Sequence, residues 1–453
     1  MIEQDKKKAF GTEPLSKVLI SQAIPAGIGI LIMSLYGIVD TIFVGRWVGS
    51  NGIGAITVAM PIAFLIASMG MAIGIGGSSI ISRAFGNNDD KKANLTFNNM
   101  VLLNVILNII IVISCYIFRS ELITLFGAKG ALYEPSLEYF TIVLLGTPFL
   151  AWAMMCNNVI RSLGYPRMAM YTLVIPSILN TIVDPILIAG FDMGLAGAAW
   201  STTISYLASF LYTVYFFAFK QNSLKVIRKY LFGNWKIIKE IFSIGSVTFA
   251  RQGTISALAV LLNNYLFSFG GEVAISAYGI VSKVMMFVNV PALGITQGYV
   301  PILGYNHGAK LFDRVNKLTA LAMKYATGLA MILFVVVMIF TPQIVSIFTT
   351  DNALIDVTIP AIRYTFLATP LIAISLLGSA YFQAIGKALP TMLLALLKQG
   401  IFLIPLILIL PRFFDLNGIW WAFPLSDIGA AFVTLVYLYY NRKRRSKFLK
   451  MQH

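Results

Sequence analysis

Apolar runs long enough to cross a bilayer recur from one end of this chain to the other, parted by short polar loops. Twelve such runs centre near Leu31, Gly70, Ile109, Leu145, Pro176, Leu207, Leu258, Pro291, Leu329, Ile372, Leu403 and Val433. A helix perpendicular to the membrane needs roughly 20 apolar residues; several runs are longer, so they are expected to tilt or to extend beyond the hydrocarbon. The pattern predicts an all-α polytopic membrane protein rather than a soluble domain with an anchor. Two acids stand inside the runs. Asp40 interrupts Val18 to Val48, and Asp184 interrupts Thr172 to Ile188. Asn180 lies four residues before Asp184, so on a helix the two share a face. A carboxylate near the bilayer centre costs about 2.5–3.5 kcal/mol on insertion scales, so it is expected to face a cavity or a partner and to carry function.

The longest polar loop, Lys220 to Lys239, divides the runs into two sets of six. This gives an N-terminal lobe over 1–220, a basic linker over 221–240 and a C-terminal lobe over 241–453. The halves resemble each other weakly. Gly76, Gly86 and Gly164 have counterparts 222 residues later at Gly298, Gly308 and Gly386, and Leu195-Ala-Gly-Ala-Ala-Trp200 echoes Leu416-Asn-Gly-Ile-Trp-Trp421. Such repetition is the mark of an internally duplicated transporter scaffold with two lobes related by pseudo-two-fold symmetry. The acids do not repeat. The positions one repeat beyond Asp40 and Asp184 hold Leu262 and Pro405, so the chemistry is expected to sit in the N-terminal lobe.

Composition narrows the class further. The chain has 453 residues, of which 58% are hydrophobic and only 11% charged, against about 25% charged in a soluble domain. The net charge of +16 is not read as a nucleic-acid signal, because Lys and Arg fall in short loops between the apolar runs. They cluster at Lys6–Lys8, Lys91–Lys92, Arg161–Arg167, Lys220–Lys239, Lys310–Lys317, Lys387 and Arg442–Arg445. The positive-inside rule then puts both termini in the cytoplasm and the chain in the cytoplasmic membrane. No cleaved targeting segment is evident at the start. Cys115 and Cys156 both lie in apolar runs, and His307 and His453 have no ligand spacing, so neither a disulfide framework nor a histidine metal site is expected. Ile73-Gly-Ile-Gly-Gly-Ser-Ser79 has no following Lys and reads as close helix packing rather than a phosphate loop. Asn94-Leu-Thr96 fits a glycosylation acceptor, but its loop is predicted cytoplasmic.

Several stretches together resemble the multidrug and toxic compound extrusion (MATE) family. They are Asp40-Thr-Ile-Phe-Val-Gly-Arg-Trp-Val-Gly49, Asn157-Asn-Val-Ile-Arg-Ser-Leu-Gly164, Asn180-Thr-Ile-Val-Asp-Pro185 and Gly197-Ala-Ala-Trp-Ser-Thr202. The resemblance spans essentially the whole chain. It implies twelve transmembrane helices in two six-helix lobes, V-shaped, and cation-coupled antiport of organic cations. Carried over position by position, it implies a cation site at Asp40, Asn180, Asp184 and Thr202 for H⁺ or Na⁺. Tyr36 and Asn157 match polar residues of the same cavity, and Pro25 matches a proline at which the first helix bends in some members. One branch of the family places acids in spans seven and ten. Here span seven offers Arg251, Gln252, Asn263 and Asn264, and span ten, from Pro370 to Gln383, has no acid. The resemblance therefore favours the branch that works from the N-terminal lobe.

The residues support that chemistry on their own terms. Two neighbouring carboxylates titrate as a coupled pair, and a purely structural role would be filled by neutral Asn at less desolvation cost. An oxygen-only set also suits a hard monovalent cation. Gln252, near the start of span seven, is expected to line a cavity. Lys283 and Lys398 read either as snorkelling amines, with Asp427 as a partner, or as substrate-selecting groups. The expectation is a monomeric antiporter without cofactor, exporting small amphipathic, often cationic compounds. A lipid-linked saccharide flippase would need a cationic cavity, which two acids oppose. A membrane enzyme would need a nucleophile–base or metal constellation, and none is found. A non-transporting sensor is distinguished by ligand binding without flux.

Overall fold

The computed structural model describes residues 8–128, 130–220 and 223–450; Lys6, Lys7 and His453 of the sequence reading lie outside them. Among the described residues there are helices and no strands. The six spans of the first half are α1 (Leu15–Trp47), α2 (Ser50–Gly86), α3 (Asp90–Ile117), α4 (Tyr133–Ser162), α5 (Pro166–Pro185) and α6 (Gly194–Tyr215). Trp235–Gly308 is helical throughout except at Gly271, whose φ of 62° and ψ of −157° only glycine adopts readily. That break makes two spans, α7 (235–270) and α8 (272–308). There follow α9 (Phe312–Phe348), α10 (Asn352–Thr365 and Thr369–Ala384, bent by 52°), α11 (Ala388–Ile409) and α12 (Pro411–Lys450). Twelve spans result, as the apolar runs predict.

Helices are the form that satisfies every backbone group inside a bilayer without outside partners. Their faces are sorted in the opposite sense to those of a soluble protein, and α3 shows this most clearly. Ile106, Ile109, Ile110 and Ile113 form one outward stripe, 44–55% exposed, while Asn98, Asn104 and Asn108 point inward and are buried. Asn108 donates from Nδ2 to the Asn104 carbonyl at 2.7 Å. Helix starts next to loops carry ordinary caps: Asp89 accepts from the Lys92 amide, Asn234 from Ile237 and Asp351 from Ala353.

The chain forms two compact units. The first comprises residues 1–249 and 304–312, the second 250–303 and 313–453. Sequence boundaries at 220 and 241 follow connectivity, whereas these units follow packing. The linker and the first turns of α7 pack with the first unit for visible reasons. Arg83 pairs with Glu240 at 2.9 Å, and Ile237 and Ile241 are buried in the cluster that holds Ile80, Phe97, Met155 and Phe216. Gly86 and Gly308, one repeat apart, make reciprocal approaches. A Cβ on Gly86 would meet the Tyr305 carbonyl oxygen at 2.0 Å, and one on Gly308 would meet that of Arg83 at 2.1 Å. The second unit has its own core around Leu262, Leu266, Phe366, Trp420 and Phe423.

Candidate functional site

The candidate site lies in the first unit, where α1 packs on α5 and α5 on α6. Prolines loosen α5 where it carries polar groups. Pro176 cannot donate to Thr172, and the freed Thr172 carbonyl accepts from Ser209 Oγ of α6 at 2.7 Å. Pro185 directly follows Asp184, and the chain passes there into a π-helical turn, Ile186–Gly190. Such wide turns inside helices occur often at functional sites.

Asp40 on α1 and Asp184 on α5 are 2% and 0% exposed, and each carboxylate lies within electrostatic reach of the other. Asn180, one turn before Asp184, donates from Nδ2 to Ser201 Oγ at 3.2 Å and to Thr202 Oγ1 at 3.4 Å. Ser201 in turn donates to the Asn180 backbone carbonyl at 3.4 Å. These bonds orient the Asn180 amide with its oxygen free. Asp40 Oδ1, Asn180 Oδ1 and both Asp184 oxygens are buried, and none receives a well-formed hydrogen bond from the protein. No salt bridge among the described residues involves either acid. Buried acceptors in that condition are costly, and a carboxylate among them far more so unless it is protonated or meets a cation. The donor set is all oxygen, which suits a hard cation or a proton.

Three further groups surround the pair. Tyr36, Tyr139 and Tyr206 neighbour the acids, Tyr206 lies by Tyr36, and Tyr139 lies by Thr202. The sequence reading named Tyr36 but not Tyr139, Tyr206 or Ser201. Tyr206 follows Thr202 by one helical turn, and Ser201 adjoins it, so spacing along α6 was the available signal.

The other expected residues fall elsewhere. Asn157 is fully engaged: it donates to the Ala169 carbonyl and to Thr172 Oγ1, both at 2.7 Å, and accepts from Arg161 Nη2 at 3.0 Å. It thus meets α5 about 18 Å along the helix from Asp184, at 1.5 Å per residue. α1 remains helical across Pro25. Gln252 and Lys283 belong to the second unit. Gln252 is half-buried; Lys283 is exposed, with its ammonium 5.9 Å from the Phe348 ring centre. Lys398 and Asp427, also in the second unit, form an ion pair of 2.6 Å.

The MatE family model matches this chain twice, over residues 25–186 and 247–409. The chain is a MATE family transporter. The two matches begin 222 residues apart, the offset at which the glycines repeat. Among curated relatives, the multidrug export protein MepA of Staphylococcus aureus strain MRSA252 is 28% identical over 439 residues, covering 96% of each chain. MepA of Staphylococcus saprophyticus is 27% identical over 437 residues, again 96% of each. Among solved structures, the MATE multidrug transporter DinF-BH is 36% identical, with a TM-score of 0.88 over 95% of this chain and 97% of that one. A MATE transporter crystallised with MaL6 superposes with a TM-score of 0.92 at 24% identity, covering 98% of this chain and 99% of that one. This MATE transporter is therefore a multi-pass membrane protein of two six-helix lobes.

Proposed function

We propose that this transporter is a cation-coupled antiporter that exports organic, often cationic, compounds across the cytoplasmic membrane. It acts as a monomer with both termini in the cytoplasm, uses no cofactor and is not an enzyme. Residues 1–220 form the lobe that carries the cation site, 221–240 the linker and 241–453 the second lobe. The names of the MepA and DinF-BH relatives support multidrug export as the activity. The observation that carries the coupling mechanism is the set of buried, unbonded oxygens on Asp40, Asn180 and Asp184.

In this reading H⁺ or Na⁺ binds among Asp40, Asn180, Asp184 and Thr202 when the site opens to the outside, and neutralisation of the acids releases a cationic substrate. Loss of that ion to the cytoplasm restores negative charge and lets substrate bind again. Tyr36, Tyr139 and Tyr206 offer hydroxyls to the ion and ring faces to an organic cation. The drive is an ion gradient, about 2.3 kcal/mol per charge per 100 mV and about 1.4 kcal/mol per tenfold concentration ratio.

The test is ethidium efflux from proteoliposomes under separately imposed Na⁺ and pH gradients. Wild type is expected to respond to one or both, and Asp40→Asn and Asp184→Asn to neither while remaining folded. Efflux at the wild-type rate in Asp184→Asn would remove the coupling site from this pocket. Folded wild type that binds dye without moving it would make the chain a sensor.

A further inference from the structure

The linker between α6 and α7 does not hang free. Asn94 of α3 donates from Nδ2 to the Ser223 carbonyl at 2.9 Å and accepts from the Lys225 amide at 3.0 Å. One turn on, Asn98 repeats the gesture: Nδ2 donates to the Lys225 carbonyl at 2.8 Å, and Oδ1 accepts from the Ile227 amide at 2.7 Å. Asn99 then accepts from the Asn234 amide at 2.6 Å. A side-chain amide carries one acceptor and a pair of donors, so each asparagine pairs with extended backbone as a neighbouring strand does. Leu224, 1% exposed, plugs the segment into the apolar cluster below.

What this frame displays is specific. Between 223 and 239 there is no acid, and Lys225, Arg228, Lys229, Lys236 and Lys239 are all exposed. Phe232 and Trp235 stand 86% and 75% exposed beside them. Glu240, the adjoining acid, is already occupied by Arg83 at 2.9 Å and Lys92 at 3.9 Å. A topology signal requires only that the charges stay on one side of the membrane; it needs neither a fixed backbone nor large bare rings.

We infer that residues 223–239, held by Asn94, Asn98 and Asn99, form a docking surface for the headgroups of anionic phospholipids. The segment joins two membrane spans, so it lies at the bilayer surface. There Phe232 and Trp235 enter the interfacial layer and the five cations meet lipid phosphates. The inference is independent of the coupling mechanism, because lipid binding is read without transport.

The intact protein in detergent is titrated with phosphatidylglycerol or phosphatidylcholine, and bound lipids are measured by native mass spectrometry. Wild type is expected to prefer phosphatidylglycerol. Each basic residue near an anionic surface contributes about fivefold, so Lys225→Gln, Arg228→Gln and Lys229→Gln together are expected to lower that preference by on the order of a hundredfold. Asn98→Ala keeps every charge but loosens the frame, and is expected to weaken the preference severalfold. An unchanged preference in the triple variant overturns the inference. So does displacement of the lipid by equimolar inorganic phosphate, which would make the surface a general anion site. Wild-type binding by Asn98→Ala would show that charge alone, and not the held segment, attracts the lipid.

Discussion

In the first unit Asp184 stands just before Pro185 and the π-helical turn Ile186–Gly190; in the second, Lys398 lies inside the π-helical turn Leu397–Leu403, facing Asp427. Both places bury an acid in a helix packet loosened by a wide turn. Asp427 is 2% exposed and is met by an ammonium of its own chain. Asp184 is fully buried, with Asp40 as its charged neighbour and no ion pair. The positions 221 residues before Lys398 and Asp427 are Ser177 and Tyr206, so the duplicated scaffold carries different charge in its two copies. The difference teaches where a mobile ion has work to do. An acid with an internal counter-ion is neutralised permanently, whereas an acid pair without one is neutral only when something arrives. The second unit has spent its acid on structure.

The sharpest way to break that comparison is to neutralise one acid in each unit and measure stability. Asp427→Asn leaves the Lys398 ammonium without its partner. Removing one member of a buried pair costs about 3–5 kcal/mol, and the low end applies because the Lys398 side chain is 20% exposed. Asp184→Asn has the opposite expected sign, since it takes a like charge away from Asp40; its thermal midpoint in detergent should equal or exceed that of wild type. Lys398→Met with Asp427→Leu should recover most of what Asp427→Asn loses, because paired charges are replaceable by packing. If Asp427→Asn melts with wild type, or Asp184→Asn well below it, the division into a structural and a receptive acid is wrong.

Much of this contrast could be read before any coordinates. The twelve apolar runs, the unrepeated acids and the one-face spacing of Asn180 and Asp184 follow from hydropathy and helical period. So did the option that Lys398 and Asp427 pair. What stayed hidden has a common physical cause: in a membrane protein the same residue types serve lipid, packing and cavity. Tyrosines and phenylalanines are everywhere in this chain, so Tyr139 and Tyr206 give no signal until α4 and α6 bring them to the acids. Asn157 shows the reverse. Its resemblance to a cavity residue placed it with the site, yet Ala169, Thr172 and Arg161 use its amide completely. Asn94, read as an accidental glycosylation match, proves to be a linker clamp. Hydrogen bonds between segments more than a hundred residues apart leave no local pattern.

A smaller test asks whether the two copies are equally tight where they still agree. Gly197 starts α6 against the end of α5, where a Cβ would meet the Leu187 carbonyl carbon at 2.7 Å; Gly418 in α12 would meet that of Leu410 at 2.5 Å. The obstacle in each case is backbone, which a rotamer change cannot relieve. Gly197→Ala and Gly418→Ala should each lower stability by about 1–3 kcal/mol, the usual range for overpacking, with melting in detergent as the readout. Only Gly197→Ala should also slow gradient-driven efflux, because the displaced turn adjoins Asp184. Equal slowing in both would mean that the second unit's turn is as much a part of the coupling as the first.

The smallest effect is expected at Asn157, and its value lies in the kind of change rather than the size. Asn157→Ala removes the acceptor for Arg161 Nη2, and a buried group deprived of one partner costs about 1–3 kcal/mol. The Ala169 carbonyl loses a second donor but stays within its helix, so the loss should fall near the low end. If Asn157 is a strut about three turns away from the acids, efflux should fall only in proportion to folded protein. The response to Na⁺ relative to pH gradients should then be unchanged. Asn157→Asp gives the complementary arm: it keeps an acceptor for Arg161 and supplies a carboxylate as its counter-ion, so stability should recover toward wild type. Should Asn157→Ala instead alter which ion drives efflux, the polar network running along α5 from Thr172 to Asn180 belongs to the coupling site, and the receptive region of the first unit is three turns longer than the carboxylates alone define.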